Sequence, residues 1–229
     1  MEKSKPSSTP MMTSCKLSAH EGTPVEDERL FRSVVGALQY VVITRPDIAF
    51  LVNKACQFMH RPLDTHYKAV KRVLRYLRGT LDFGLYFTPT LKLLLERYSD
   101  TSWASDADNR RSTSGFCVFL GGNPISWSSR KQSVVSRSTA EAEYKSLAQV
   151  TAELVWVKSL LSELGVPVTH KALLRERVVS GSFQVGHISG QDQVADILTK
   201  PLSVGLFDRF RNKLRVLSKE EESLPGGRS

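Results

Sequence analysis

At 229 residues, with 41% hydrophobic and 24% charged residues, the chain has the make-up of one large domain, or of a small domain with an appendage. No apolar run approaches the roughly 20 residues that a membrane helix needs, and the opening Met1–Met12 carries lysines but no apolar stretch of a secretory signal. The formal net charge of +9 favours a polyanionic partner, with nucleic acid the first candidate.

Residues 1–26 are rich in Ser, Thr, Pro and Lys without hydrophobic period, which predicts a disordered lead-in. Apolar residues at helical spacing then predict a helix from Glu28 that stops before Arg45-Pro46. Pro46 and Asp47 suit the start of a second helix, which runs to Met59 and ends before Arg61-Pro62. A third opens at Asp64 or Thr65 and closes at Gly79. It is basic and amphipathic, with Lys68, Lys71, Arg72, Arg75 and Arg78 along one side and Val70, Val73, Leu74 and Leu77 along the other. The plain reading of that side is a solvated face over a small core; the sharper one is a stripe that contacts phosphates of a nucleic-acid backbone.

After Gly79 the pattern changes to short apolar and aromatic runs separated by turn residues. Residues 84–88, 93–100, 115–122 and 125–129 predict successive strands of an antiparallel sheet. A long helix is expected from Ser138 to about Leu164, stopped by Gly165 and Pro167. A helix at 172–179, a strand at 182–189, a helix over Asp192–Lys200 and a last helix over Leu206–Leu217 complete a sheet-centred α/β pattern. Residues 218–229 look like a frayed tail. The widely spaced Cys15, Cys56 and Cys117 offer no metal-ligand spacing and predict reduced thiols of an intracellular protein, cytoplasmic or nuclear.

Three carboxylates stand out. Asp100 ends an expected strand, where its side chain can project from the sheet edge. Ser138 and Glu141 have the spacing of a capping box, which gives Glu141 a structural task. The expected packed stripe of that helix runs through Tyr144, Leu147, Ala148, Thr151, Leu154 and Val155; at about 100° per residue, Glu143 borders it and Glu141 points away. Asp192 and Asp196 share a face of the next-to-last helix, but Asp192 sits in the first turn, where the helix dipole favours an anion. Asp196, among Val194, Ile197 and Leu198, has less structural reason to be there. Carboxylates from separate elements around one sheet could hold two divalent cations about 3.5–4 Å apart, suited to in-line phosphoryl displacement.

The runs RSVVGALQYVVITRPDIAFLVNKACQFMHRP, HYKAVKRVLRYLRGT, YSDTSWASDADNRRSTSGFCVFLGGNPISWSSRKQSVVSRSTAEAEY and DQVADILTKPL together resemble the copia-type retrotransposon polyprotein, from about residue 23 to residue 217. The first part is similar to the stretch after the reverse transcriptase palm, a thumb- or connection-like helical segment over 27–80. The second is similar to the ribonuclease H domain, over 81–217. The resemblance implies a ribonuclease H-like mixed sheet with flanking helices, preceded by a small helical segment. It also implies Mg²⁺-dependent two-metal cleavage of the RNA strand of an RNA/DNA hybrid, with Asp100, Glu143 and Asp196 as catalytic carboxylates and metal ligands. His187 resembles the mobile histidine with which some relatives assist product release.

The departures from that family narrow the expectation. No adjacent Asp-Asp pair occurs, so polymerase activity is not encoded here. Ser102 replaces the family's usual second acid. Between Val168 and Leu173 the family carries a few tens of residues that include a central strand with a Cys-Asp-Asn motif; here Thr169–Ala172 joins the two sides directly. The aspartate of that strand is the remaining catalytic carboxylate, and nothing matches it. Three readings follow: a hydrolase impaired by the lost ligand, a non-catalytic nucleic-acid-binding remnant, or an unrelated helical module that shares the motifs by coincidence.

Overall fold

The computed structural model describes residues 4–167, 169–170 and 189–222. The expected helix at 172–179, all but the last residue of the expected strand at 182–189, and His187 lie outside them. The chain divides into two compact units, and the division falls elsewhere than at residue 80. The first unit takes the chain up to Tyr86, the loop Asp106–Asn109 and everything from Lys200 on. The second takes Phe87–Ser105 and Arg110–Thr199.

In the first unit, α1 (Glu28–Val41) buries Phe31, Val35 and Leu38 at helical spacing, and Asp27 caps it by accepting from the Leu30 N–H at 2.8 Å. A short 3₁₀ turn, Pro46–Ile48, leads into α2 (Ala49–Cys56), most of which is buried. The third helix, α3 (Asp64–Arg78), buries His66, Ala69, Val70, Val73 and Tyr76. Leu74 and Leu77 are only half-buried, so the packed stripe is turned toward Tyr76. The cause is polar as much as apolar. Arg45 clasps Asp47 with both arms of its guanidinium (3.0 and 2.8 Å) and donates to the carbonyl and hydroxyl of Thr80 (3.0 and 2.9 Å). The Tyr76 hydroxyl donates to Asp47 Oδ2 at 2.6 Å, and Tyr76 meets Phe207 edge to face.

The chain returns to this unit as α5 (Val204–Lys213), which is shorter than expected. Arg215 adopts a positive φ of 57° and turns the chain into an extended segment, Val216–Ser218. That segment pairs antiparallel with β1 (Phe83–Leu85) in a two-stranded sheet of its own, so β1 is not part of the larger sheet. Lys219–Glu222 add one helical turn.

The lead-in departs from its expected disorder. Met11 and Leu17 are buried, the Ser7 N–H donates to the Arg75 carbonyl, and Arg78 donates to the Ser4 carbonyl at 2.8 Å. A few apolar side chains and backbone hydrogen bonds to α3 supply what its composition lacks. The loop Asp106–Asn109 also carries structural carboxylates: Asp106 is buried against Lys54 (3.5 Å), and Asp108 accepts from the Ser18 hydroxyl and the Ala19 N–H.

Fully buried His66 sets a pH dependence. Its Nδ1 accepts from the Leu63 N–H at 3.0 Å, which leaves Nε2–H to donate to the Ser18 carbonyl at 2.9 Å. Burial pushes its pKa below the ordinary 6.5, against the opposing pull of the Ser18 carbonyl. The unfolded chain therefore takes up this proton first. The neutral histidine's stabilisation is complete above the unfolded value and falls as pH drops below it. Urea midpoints of the first unit should fall between about pH 7.5 and about pH 5.5, and His66→Gln should flatten that dependence.

The second unit is built on a four-stranded sheet. β2 (Leu94–Ser102), β3 (Thr113–Leu120) and β4 (Asn123–Lys131) form an antiparallel meander, and β5 (Thr169–His170) lies parallel to β2 on its other side. β5 pairs only with Leu94 and Leu95. The long helix α4 (Thr139–Glu163) packs Val150, Leu154 and Val157 on Leu95, Phe116 and Val118. Its buried stripe is Ala142, Ser146, Val150, Leu154 and Val157, not the stripe through Tyr144, which is exposed. Val194–Leu198 form a 3₁₀ helix where an α-helix was expected. The segment runs between the turn at Ser189–Asp192 and Pro201 and closes with i→i+3 bonds from the Asp196 and Thr199 N–H groups.

Candidate functional site

Side chains alternate across a strand, and the pleat of β2 sorts the site. Leu95, Arg97, Ser99 and Thr101 face α4, as the packing of Leu95 and the bond from the Thr101 hydroxyl to the Ala142 carbonyl (3.3 Å) show. Tyr98 and Asp100 face the other way, Tyr98 onto the Phe119 ring. On that side lies the 3₁₀ helix. Asp100 is paired in register with Gly115, and a Cβ on Gly115 would stand 2.7 Å from Leu198 Cβ and Thr199 Cγ2. The bare backbone there lets Leu198 and Thr199 rest on the sheet beside Asp100. The Thr199 hydroxyl then donates to Asp100 Oδ2, while its N–H donates to the carbonyl of buried Asp196.

Thr199 thus ties the Asp100 carboxylate to the backbone of Asp196, a buried residue on the same side of the sheet. Glu143 lies on α4, whose first turns bond the end of β2 through Ala142 and Ser146. It borders the buried stripe of α4, about 40° from its centre at 100° per residue, against about 160° for Glu141. The residue is exposed on the helix that covers the opposite face of the sheet. Glu141 does the structural work expected of it: it accepts from the Arg137 N–H at 2.7 Å, pairs with Lys145 at 2.7 Å, and the Glu141 N–H donates to Ser138 Oγ. The Lys145 ammonium and the Arg137 N–H hold the Glu141 carboxyl below the usual range. Asp192 closes a turn, accepting from the Ser189 hydroxyl, and does not begin an α-helix.

Among the described residues no group of three or more His, Cys, Asp or Glu side chains stands together as a metal cage. The residues that could offer oxygen to a cation on one face are Asp100 and Asp196, and two carboxylates fall short of a two-ion site.

The basic stripe of α3 divides. Lys68, Lys71 and Arg78 are exposed, Lys68 paired with Asp64 at 2.7 Å and Lys71 over the Tyr67 ring. Arg72 and Arg75 are half-buried, and Arg72 donates to the Thr9 hydroxyl at 3.0 Å. No helix among the described residues is long and apolar enough to cross a membrane.

Gly115 and Thr199 are the positions that reading from sequence passes over. An isolated glycine inside an apolar strand signals a close approach of neighbouring chain, and Gly115 is one. Gly115→Ala should lower the urea stability of the second unit by roughly 1–3 kcal/mol through overpacking against Leu198 and Thr199; an unchanged midpoint would remove the close approach from this account.

The chain is similar to the retrovirus-related Pol polyprotein from transposon RE2 of Arabidopsis thaliana, 44% identical over 243 residues, covering 93% of this chain and 17% of that polyprotein. It is also similar to the retrovirus-related Pol polyprotein from transposon TNT 1-94 of Nicotiana tabacum, 39% identical over 244 residues, 91% of this chain and 18% of that one. A third relative, the secreted RxLR effector protein 161 of Plasmopara viticola, is 47% identical over 128 residues, 56% of this chain and 90% of its own length. The chain therefore spans less than a fifth of the two polyproteins. Both of those aligned stretches are longer than this chain's 229 residues, so the polyproteins carry residues within them that have no counterpart here. No family model and no solved structure matches.

Proposed function

Because the chain belongs to the retrovirus-related Pol polyproteins of copia-type transposons, we propose that it is a piece of such a polyprotein in which a ribonuclease H-like unit has kept its hybrid-binding architecture and lost efficient cleavage. The observation that carries this reading is the division of the acidic set, with Asp100 and Asp196 on one face of the sheet and Glu143 on the helix covering the other. Support for a ribonuclease H-like frame comes from strand order: an antiparallel meander, then a helix, then a strand parallel to the meander's first. The relatives' extra residues agree with a missing segment near 168–173. Residues 27–80 of the first unit are then the thumb- or connection-like helical segment that precedes the ribonuclease H domain in the family.

In this reading the chain's own residues bind and position. Lys68, Lys71 and Arg78 supply exposed positive charge to a nucleic-acid backbone, while Thr199, seated against Gly115, ties the Asp100 carboxylate to the backbone of Asp196. Mg²⁺ would supply water activation and charge neutralisation in an intact relative, but the carboxylates here do not complete its site, and no hydrolytic step is assigned to this chain.

Binding is tested by salt titration. Affinity for a short RNA/DNA hybrid should fall steeply with salt, and the double variant Lys71→Gln, Arg78→Gln should lower the slope of log K against log salt by about 2. Salt-independent binding, or none, would return the chain to the class of helical interaction modules.

A further inference from the structure

The lead-in and α3 enclose a cavity of about 310 Å³, with Leu51 of α2 contributing to its wall. Its apolar walls are Met11, Met12, Leu17 and Leu51. Its polar end is formed by Arg72 and Arg75, one turn apart on α3. The Nε–H groups of both arginines are buried and hydrogen-bond to nothing, and neither guanidinium is paired with a carboxylate among the described residues. Two half-buried cations side by side, without a carboxylate partner among the described residues, repel each other and favour an anion between them. Burial and the neighbouring charge of Arg75 both weaken Arg72's hold on its proton. The pair spends nothing on the core packing of α3, which Val70, Val73 and Tyr76 already supply.

We propose that this cavity binds a small organic anion, a phosphate or carboxylate head on an apolar body, with the head between Arg72 and Arg75 and the body against Met11, Met12, Leu17 and Leu51. Charge-assisted hydrogen bonds from the two guanidinium groups would fix the head. The volume suits a compact ligand, at the lower end of small-molecule sites. Lead-in residues 10–12 and 15–17 line this cavity together with α3, so a body of limited size, not a continuing polymer, is the proposed occupant. Lys68 borders this cavity too, whereas Lys71 and Arg78, the residues changed in the salt titration, do not line it.

Cys15 lines the same cavity and reports occupancy; half-buried Cys56 lies outside it and serves as the internal reference. In the full chain, phenyl phosphate and decanoate should each slow alkylation of Cys15 by iodoacetamide while leaving Cys56 unchanged, and the stronger protector identifies the head. Inorganic phosphate, which has no apolar body, should protect at least about tenfold more weakly. Arg72→Gln and Arg75→Gln should each weaken protection about tenfold, and Lys71→Gln should leave it intact. Both arginine variants should still melt cooperatively, since each guanidinium is half-buried and has no carboxylate partner among the described residues. The proposal is overturned by absence of protection, by equal protection from inorganic phosphate, or by full protection in both arginine variants. It is also overturned if a single-stranded oligonucleotide protects Cys15 as well as phenyl phosphate does, which would make the cavity part of a nucleic-acid surface.

Discussion

Asp47→Ala is expected to cost the first unit roughly 3–5 kcal/mol, a large part of the stability of a small domain. Asp47 is buried to 2% and takes all its partners from inside the protein: two bonds from Arg45 and one from the Tyr76 hydroxyl. Around Arg45, burial favours the neutral form, but the bonds and charge of Asp47 outweigh it and raise its pKa. Burial, together with Asp47, pushes the Tyr76 phenol well above its usual range, so the phenol stays a donor at every working pH. Without the carboxylate, a guanidinium only 5% exposed would face Tyr76, Phe83 and Thr80 with its charge uncompensated. The loss should be read by urea unfolding followed through the first unit. Adding Arg45→Met to Asp47→Ala should recover part of it, since removing both charges leaves no orphan. A single variant that melts like the native chain would mean that water reaches Arg45 and that the pair is not buried in solution.

Hybrid cleavage is the second large effect. A labelled RNA/DNA hybrid in Mg²⁺ should be cut more slowly than by an intact ribonuclease H by on the order of 10³-fold or more, the equivalent of several kcal/mol of lost metal-ion stabilisation. Asp100→Asn and Asp196→Asn should abolish any residual cutting, because both residues lie on the side of the sheet where cutting would occur. Glu143→Gln should change it little if Glu143 stays on the α4 side of the sheet. Ordinary cleavage rates lost equally in all three variants would show that Glu143 swings around to join the other two, and the reading of a crippled site would fall.

Much of the fold is legible in the sequence because it follows from local chemistry. The helices over 28–41 and 64–78, the meander over 94–131 and the cap at Ser138 and Glu141 rest on spacing, proline positions and side-chain caps that neighbours in sequence determine. Pro46 and Asp47 announce a helix start, yet the task of Asp47 depends on Arg45, Tyr76 and Thr80 at once, and no local pattern carries that. The lead-in misleads for the same reason: Met11 and Leu17 are too sparse to make a period, and α3 supplies the partner surface. Within the site, Asp100 and Asp196 are legible as acids with little structural reason to sit where they do. Their side of the sheet is not, since it depends on the phase of the β2 pleat and on which face the 3₁₀ helix covers. One residue of phase decides whether Glu143 can join them.

The pairing of Phe83–Leu85 with Val216–Ser218 has a consequence for how the protein comes into being. Tyr76 meets Phe207, and Arg211 stacks over Phe83 at 4.4 Å, so the interior of the first unit is completed by residues that leave the ribosome more than a hundred positions after the helices they cover. During synthesis α1 to α3 must wait, with part of their apolar surface open, while the whole of the second unit is made. Such long-range closure is slow. A nascent chain arrested before Val204 should therefore hold its first unit in a protease-sensitive state, and release of the last segment, not formation of the helices, should be the step that commits it to fold.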